Sequence, residues 1–246
     1  SWPSAADAEE LSPSERNRLL PGLDRAAEAV YPPGSIVKPL VFAGAVATGK
    51  FGSGGTVACN GHFFPELKDK ARCWIWRPEH GMTTHTAIIG GPLSIEAAIS
   101  RSCNIYFFTV AQRMGLRGLV DWYRRLGLAQ TLGTGLQGPL PRGERPAGGE
   151  AAGILPSAED IERLEQRRDA FTPIILGIGQ GPMAWTPLQA ANAFATLARG
   201  GELRDARVVS DDDALPPDRR SGSLVIPDEA RRRAMEGLRQ AVEEPH

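Results

Sequence analysis

The chain has 246 residues, of which 41% are apolar, enough for one large domain or two small ones with an ordinary core. Its 28 lysines and arginines nearly cancel its 29 aspartates and glutamates, so no global field draws it to nucleic acid or an anionic membrane, and partners must be sought in local sites. The longest weakly polar run, "PLVFAGAVATG" after Lys38, falls far short of the roughly 20 residues that cross a bilayer, and no basic-then-apolar signal opens the chain; an anchor or export signal is expected outside it.

Ser1 to Ala29 is polar with scattered prolines and reads as loop with a short helix around Ser14 to Leu20. From Ser35 to about Thr48 the pattern is helical, with Leu40, Val41, Ala45 and Val46 on one side, Gly49 as the stop, and Pro39 loosening the first turns. Residues 50–92 are rich in Gly, Pro and aromatics without periodicity, a long insertion that needs something to fix it. Leu93 to Arg101 and Ile105 to Met114 read as two short helices broken at "SCN", the second closed by Gly115; Leu119, Trp122, Tyr123 and Leu126 form a further amphipathic set ending at Gly127.

A Pro/Gly-rich connector occupies residues 138–153. Ser157 with Asp160 predicts a capping box for a charged helix through Arg168, and Thr186-Pro187 supplies the N-cap and first residue of a helix running to Gly200. After "DDDALPPDRRSG" come a short strand, "SLVIP", and a last helix marked by Met235, Leu238 and Val242. The count favours helices heavily, with little sheet.

Chemistry enters at "YPPGSIVKPL", where Ser35 and Lys38 stand three residues apart. A serine hydroxyl is a weak nucleophile until a neighbour takes its proton, and this spacing puts both side chains on one helix face. Lysine can be that base only if burial or nearby cations destabilise its ammonium. In "SRSCNIYFF", Ser102 and Asn104 flank the break between two helices; the hydroxyl can relay a proton, and the amide can hold a substrate carbonyl or the lysine itself. Residues alone support a lysine-assisted serine acyltransferase or hydrolase. "GIGQG" lacks the spacing of a phosphate loop and reads as a tight turn beside the site.

"YPPGSIVKP", "SIEAAISRSCNIYFF" and "GIGQG" followed by "TPLQAANAFATLARGG" resemble, in order and spacing, the transpeptidase domain of class B penicillin-binding proteins, particularly the elongation-type enzyme of the rod-shape machinery. The resemblance implies an α+β fold of the penicillin-binding protein and serine β-lactamase type, with Ser35 as acylated nucleophile, Lys38 as base, Ser102 as proton relay and Asn104 as orienting amide. It implies D,D-transpeptidation of peptidoglycan stem peptides without a catalytic cofactor, and trapping of the same serine by β-lactams. It further implies a membrane glycosyltransferase partner and a periplasmic or extracytoplasmic place at the inner membrane, with the anchor outside this chain. The family's third motif, Lys-(Ser or Thr)-Gly on a strand lining the pocket, is absent, because no lysine follows Lys70. "RSG" at Arg220 to Gly222 precedes the last helix, whereas the family places the motif after it. Residues 1–246 thus read as a partial transpeptidase domain, mainly its helical part with much of the central antiparallel sheet missing, and inactive alone.

Cys59, Cys73, His80 and Cys103 supply four ligand types suited to a tetrahedral zinc, three of them in the irregular 50–92 insertion that such a clip would fix. A Cys59 to Cys73 disulfide and unlinked thiols are the competing arrangements, and His62 and His85 are alternative ligands. Elongation-type relatives are similar here, showing Cys or Asp, Cys or Asp, His-Gly and Cys at corresponding places, and some bind zinc. Other classes remain: a β-lactamase or β-lactam sensor of the same fold, against which the long insertion and "TPLQ" argue, and a non-catalytic, zinc-braced module that binds cell-wall synthesis partners.

Overall fold

Two prolines and a glycine ahead of Ser35 keep the chain out of an α-helix there, and the first helix starts later than its pattern suggests. In the computed structural model, which describes residues 12–15, 23–134, 149–206 and 222–243, Gly34 takes a left-handed φ of 61° and Gly34–Val37 forms a 3-10 turn. Helix α1 follows at Lys38–Ala47 with Pro39 in its first turn, where a missing N–H removes no helical bond. The loosened start expected around Pro39 is thus a change of helix type. Every residue from Lys38 to Ala45 is buried. A helix covered on all sides belongs at the centre of a core.

Four helices pack around it: α3 (Ile95–Ser100), α4 (Asn104–Arg125), α7 (Pro187–Ala198) and α8 (Asp228–Glu243). Gly44 admits α4 closely, since a Cβ there would meet the Trp122 ring at 2.5 Å, and the Trp122 indole N–H donates to the Leu40 carbonyl at 2.8 Å. Gly115 leaves the helical region (φ 71°, ψ 168°) and breaks α4 into two helical segments at a kink, where the sequence places a glycine stop between two amphipathic sets. Tyr123 reaches from its far half to donate to Leu176 O in α6 (Phe171–Leu176), a helix too short to show a period.

The predicted capping box of Ser157 with Asp160 forms on α5 (Ala158–Gln166), and Thr186 caps α7 as predicted, with Gln189 completing a second box that the sequence reading did not name. Gln189 goes further, donating to the carbonyls of Gln130 and Ala152 at 2.7 and 2.8 Å and so tying two loops to α7. "SLVIP" is not a strand; Ser223 makes a single antiparallel bridge to Glu202. Among the described residues all β pairing is of this isolated kind, and the predicted scarcity of sheet holds. The last helix turns a different face inward: Ala230, Ala234 and Gly237 are buried, while Met235 and Val242 are exposed. The small residues allow contact with α3 so close that a Cβ on Gly237 would fall 2.8 Å from that of Ile99.

Residues 50–92 are largely irregular, apart from a 3-10 turn, Pro78–His80, and α2 (His85–Ile89). Single bridges from Val57 to Leu93 and from His62 to Arg72 fasten them. Residues 16–20 of the Ser14 to Leu20 helix, 138–148 of the connector, and Arg220 lie outside the described residues.

Candidate active site

Ser35 stands in the 3-10 turn and Lys38 begins α1, so the three-residue spacing falls on the part of the chain where i and i+3 eclipse. The turn is held from two sides. Gly34 N donates to Gly179 O at 2.8 Å, and Tyr31 exchanges both backbone hydrogen bonds with Trp185. Gly179 (φ 72°) approaches so closely that a Cβ would lie 2.1 Å from Gly34 O. "GIGQG" is therefore the tight turn expected beside the site, and its glycine is required by contact with the serine's own loop.

Lys38 is 1% exposed. Its ammonium donates to Ser102 O (2.8 Å), Ser102 Oγ (2.9 Å) and Asn104 Oδ1 (2.8 Å), using all three N–H groups. Burial pulls its pKa down to about 8, against an opposing pull from Cys103 and Cys73. Asn104 Nδ2 donates to Arg72 O at 3.2 Å, which fixes the amide with its oxygen toward the lysine. Ser102 ends α3 in the left-handed region (φ 50°), a place usually given to glycine, so its position carries backbone strain offset by the two lysine contacts. Ser35 is exposed and lines a cavity of about 390 Å³ with Ser102 and Asn104. The opposite wall is Trp74, Arg77, Ile178 and Gln180. Sequence reasoning passed over these four; the only signal was that Ile178 and Gln180 belong to "GIGQG" and that Trp74 follows Cys73.

Behind this site, Cys59, Cys73 and Cys103 are free, buried and gathered with a histidine, their ligand atoms within 4.8 Å of one another. The histidine is His85. His80 ends the 3-10 turn, exposed, with its ring against the outer side of Trp74, and lies outside the cluster. His85 opens α2, whose cap at Thr84 and whose Thr86 hydroxyl, accepting from Cys59 N at 2.7 Å, turn its ring inward. His85 Nδ1 lies 3.4 Å from Cys73 Sγ and 3.7 Å from Cys59 Sγ, and Cys73 Sγ lies 4.0 Å from Cys103 Sγ. With Zn–S near 2.3 Å and Zn–N near 2.0 Å, tetrahedral edges are roughly 3.5–3.8 Å, so the donor set fits zinc in type and size. Hydrogen bonds from Cys103 and Cys59, with the His85 charge, hold the Cys73 thiol well below its usual range. Burial opposes a charged His85, but Cys59 and Cys73 push it up to about 9.

The family model described as "Penicillin binding protein transpeptidase domain" matches residues 4–246. The peptidoglycan D,D-transpeptidase MrdA of Acinetobacter baumannii is 30% identical over 185 residues, covering 74% of this chain and 24% of that protein. The chain therefore spans about a quarter of that relative's length. A crystal structure of Pseudomonas aeruginosa PBP2 in complex with WCK 5153 superposes with a TM-score of 0.67 at 29% identity, covering 94% of this chain and 50% of that one. A structure of a peptidoglycan synthase complex that coordinates polymerization and crosslinking gives 0.66 at 25% identity, covering 95% and 37%. The α+β fold expected from the sequence is thus the transpeptidase fold represented by its helices, and the chain belongs to the penicillin-binding protein transpeptidase domain family.

Proposed function

We propose that Ser35 is acylated by D-Ala-D-Ala stem peptides of peptidoglycan and that the chain serves D,D-transpeptidation. The observation that carries this reading is the buried Lys38, bound to Ser102 and Asn104 beside a cavity lined by Ser35. Of the lysine's three partners, Ser102 O and Asn104 Oδ1 only accept; the Ser102 hydroxyl alone can reverse and donate. When Lys38 gives up a proton it keeps two N–H groups for those fixed acceptors, and its lone pair turns to Ser102 Oγ or to Ser35. Ser102 is in this way the relay, and Asn104 holds the base in place.

In the reaction, Ser35 Oγ attacks the carbonyl carbon of the penultimate D-Ala while its proton passes to Lys38. The amide C–N bond breaks, and the departing D-Ala amine receives that proton through Ser102. An amine of a neighbouring strand then attacks the ester, its proton returning to Ser35. A β-lactam would acylate the same oxygen. Zinc held by Cys59, Cys73, His85 and Cys103 would be structural, cross-linking the 50–92 insertion to the loop between Ser102 and Asn104. We also propose placement on the extracytoplasmic face of the inner membrane beside a glycosyltransferase. No described helix is long and apolar enough to cross a membrane.

Residues 1–246 hold no Lys-(Ser or Thr)-Gly. Loss of one oxyanion donor alone costs on the order of a hundredfold, so this stretch by itself is expected to turn over poorly. The test is mass spectrometry of the protein as made in the cell after incubation with benzylpenicillin. One penicilloyl adduct on the peptide holding Ser35, absent in Ser35→Ala, is the expected result; an adduct elsewhere or none would reject the reading.

A further inference from the structure

A second cavity, of about 220 Å³, adjoins the one that holds Ser35 and shares Trp74, Arg77, Asn104, Ile178 and Gln180 with it. Its walls have two characters. Phe108, Phe171, Ile175 and Ile178 make an apolar side, and Phe171 is 41% exposed although aromatic. Arg72 and Arg77 make a cationic side.

Arg77 is set up for a ligand rather than for the fold. Its backbone is fixed, with its N–H donating to Ile75 O and its carbonyl accepting from His80 N and Met82 N. Its side chain, by contrast, makes no ion pair or hydrogen bond among the described residues, and the residue is exposed at the junction of the two cavities. Among the described residues the side chain of Arg72 pairs with Asp69 alone, at 3.7 Å, and Asp69 stands in solvent, a pair too weak to occupy the guanidinium. The other cation nearby, Lys38, has all its donors engaged. A planar guanidinium with unspent donors beside an apolar wall suits a carboxylate on a short aliphatic arm.

We propose that this compartment is a subsite for an acidic residue of the donor stem peptide, upstream of the bond attacked by Ser35. Arg77 takes the carboxylate, Arg72 adds charge, and the wall of Phe171 and Ile175 covers the aliphatic part. The subsite rests on the transpeptidase reading. It makes Arg77 a specificity-determining residue, and it predicts discrimination between stem peptides whose third residue carries a free carboxylate and those in which that group is a primary amide.

The experiment uses the full-length protein and two synthetic stem-peptide thioesters that differ only in that carboxylate or amide, with penicillin acylation run first on each protein. The parent should favour the carboxylate peptide in kcat/KM by about ten- to hundredfold, the range of one charge-assisted hydrogen-bonded contact. Arg77→Gln should bring that ratio to near one, and Arg77→Lys should restore part of it, because charge without the fork remains. A parent indifferent to the two peptides, or a preference that survives Arg77→Gln, would overturn the subsite. If the parent does not react with penicillin at Ser35, the transpeptidase reading itself falls and the subsite with it.

Discussion

A lysine that is 1% exposed has lost most of its hydration, and the three hydrogen bonds it donates to uncharged partners replace only part of it. That imbalance is why its pKa falls from 10.5 to about 8. At pH 7.5 roughly a quarter of such a group is neutral, against about one part in a thousand for an ordinary lysine. The active form of a base is the deprotonated one, so acylation of Ser35 by penicillin should rise with pH through about 8 and level off above it. Stopped-flow acylation between pH 6 and 10 measures this, and Lys38→Met should remove the rise and lower the plateau by about a hundred- to ten-thousandfold. A profile flat from pH 6 upward would mean that another group takes the proton. The meeting of Lys38, Ser102 and Asn104 beside a cavity lined by Ser35 was legible because side chains of fixed chemistry stand at short spacings in the sequence. The histidine of the cysteine cluster was not, since His80 and His85 both lie in an aperiodic stretch and only the cap at Thr84 decides which ring turns inward. Zinc content should therefore fall from near one per chain to near zero in His85→Ala and Cys59→Ser, yet stay near one in His80→Ala. Loss of metal in His80→Ala alone would reverse the assignment.

Among the elements, those with local signals were read correctly and those defined by distant contacts were not. Ser157-Asp160 and Thr186-Gln189 cap their helices through bonds three residues long, which a sequence displays. The inward face of α8 is set instead by how near α3 comes, and that closeness selects Ala230, Ala234 and Gly237 over the larger Met235 and Val242. Short helix α6 had too few residues for a period, and "SLVIP" had a strand's composition without a partner strand to pair with among the described residues. "GIGQG" lies between these cases. Its turn was visible, but the reason for Gly179 is Gly34, 145 positions away in sequence. Gly179→Ala would add left-handed strain of about 1–2 kcal/mol and a backbone clash that only movement of the Ser35 turn relieves. The expected outcome is a thermal midpoint several degrees lower together with penicillin acylation at least about tenfold slower. Gly44→Ala is the control: it crowds Trp122 in the core, and should lower stability by about 1–3 kcal/mol with a smaller effect on acylation.

At the scale of the whole molecule, two kinds of order meet at Cys103. On one side is the core around α1, built from helices packed on one another through apolar faces. On the other are residues 50–92, which have two short helical turns, two isolated bridges and few buried apolar groups besides Phe51, Cys59, Cys73 and Ile75. So little burial does not offset the entropy of fixing some forty residues, at about 1–2 kcal/mol each, and the cluster of Cys59, Cys73, His85 and Cys103 draws three distant parts of the segment together on the core. Withdrawing metal with a chelator should therefore loosen the segment well before the core unfolds. Limited trypsin digestion reports this directly, because Lys68, Lys70 and Arg72 lie inside the segment, whereas Arg113 and Arg117 lie on α4. Cleavage at the first group should accelerate by about an order of magnitude or more on chelation, with the α4 sites still protected and the effect reversed by added zinc. Because Arg72 O anchors Asn104 and Asn104 holds Lys38, the same treatment should slow acylation of Ser35 without any metal touching the substrate. Equal acceleration at both groups of sites would show that the cluster supports the entire fold, and no acceleration at either would show that the segment is held by its bridges and aromatic contacts alone.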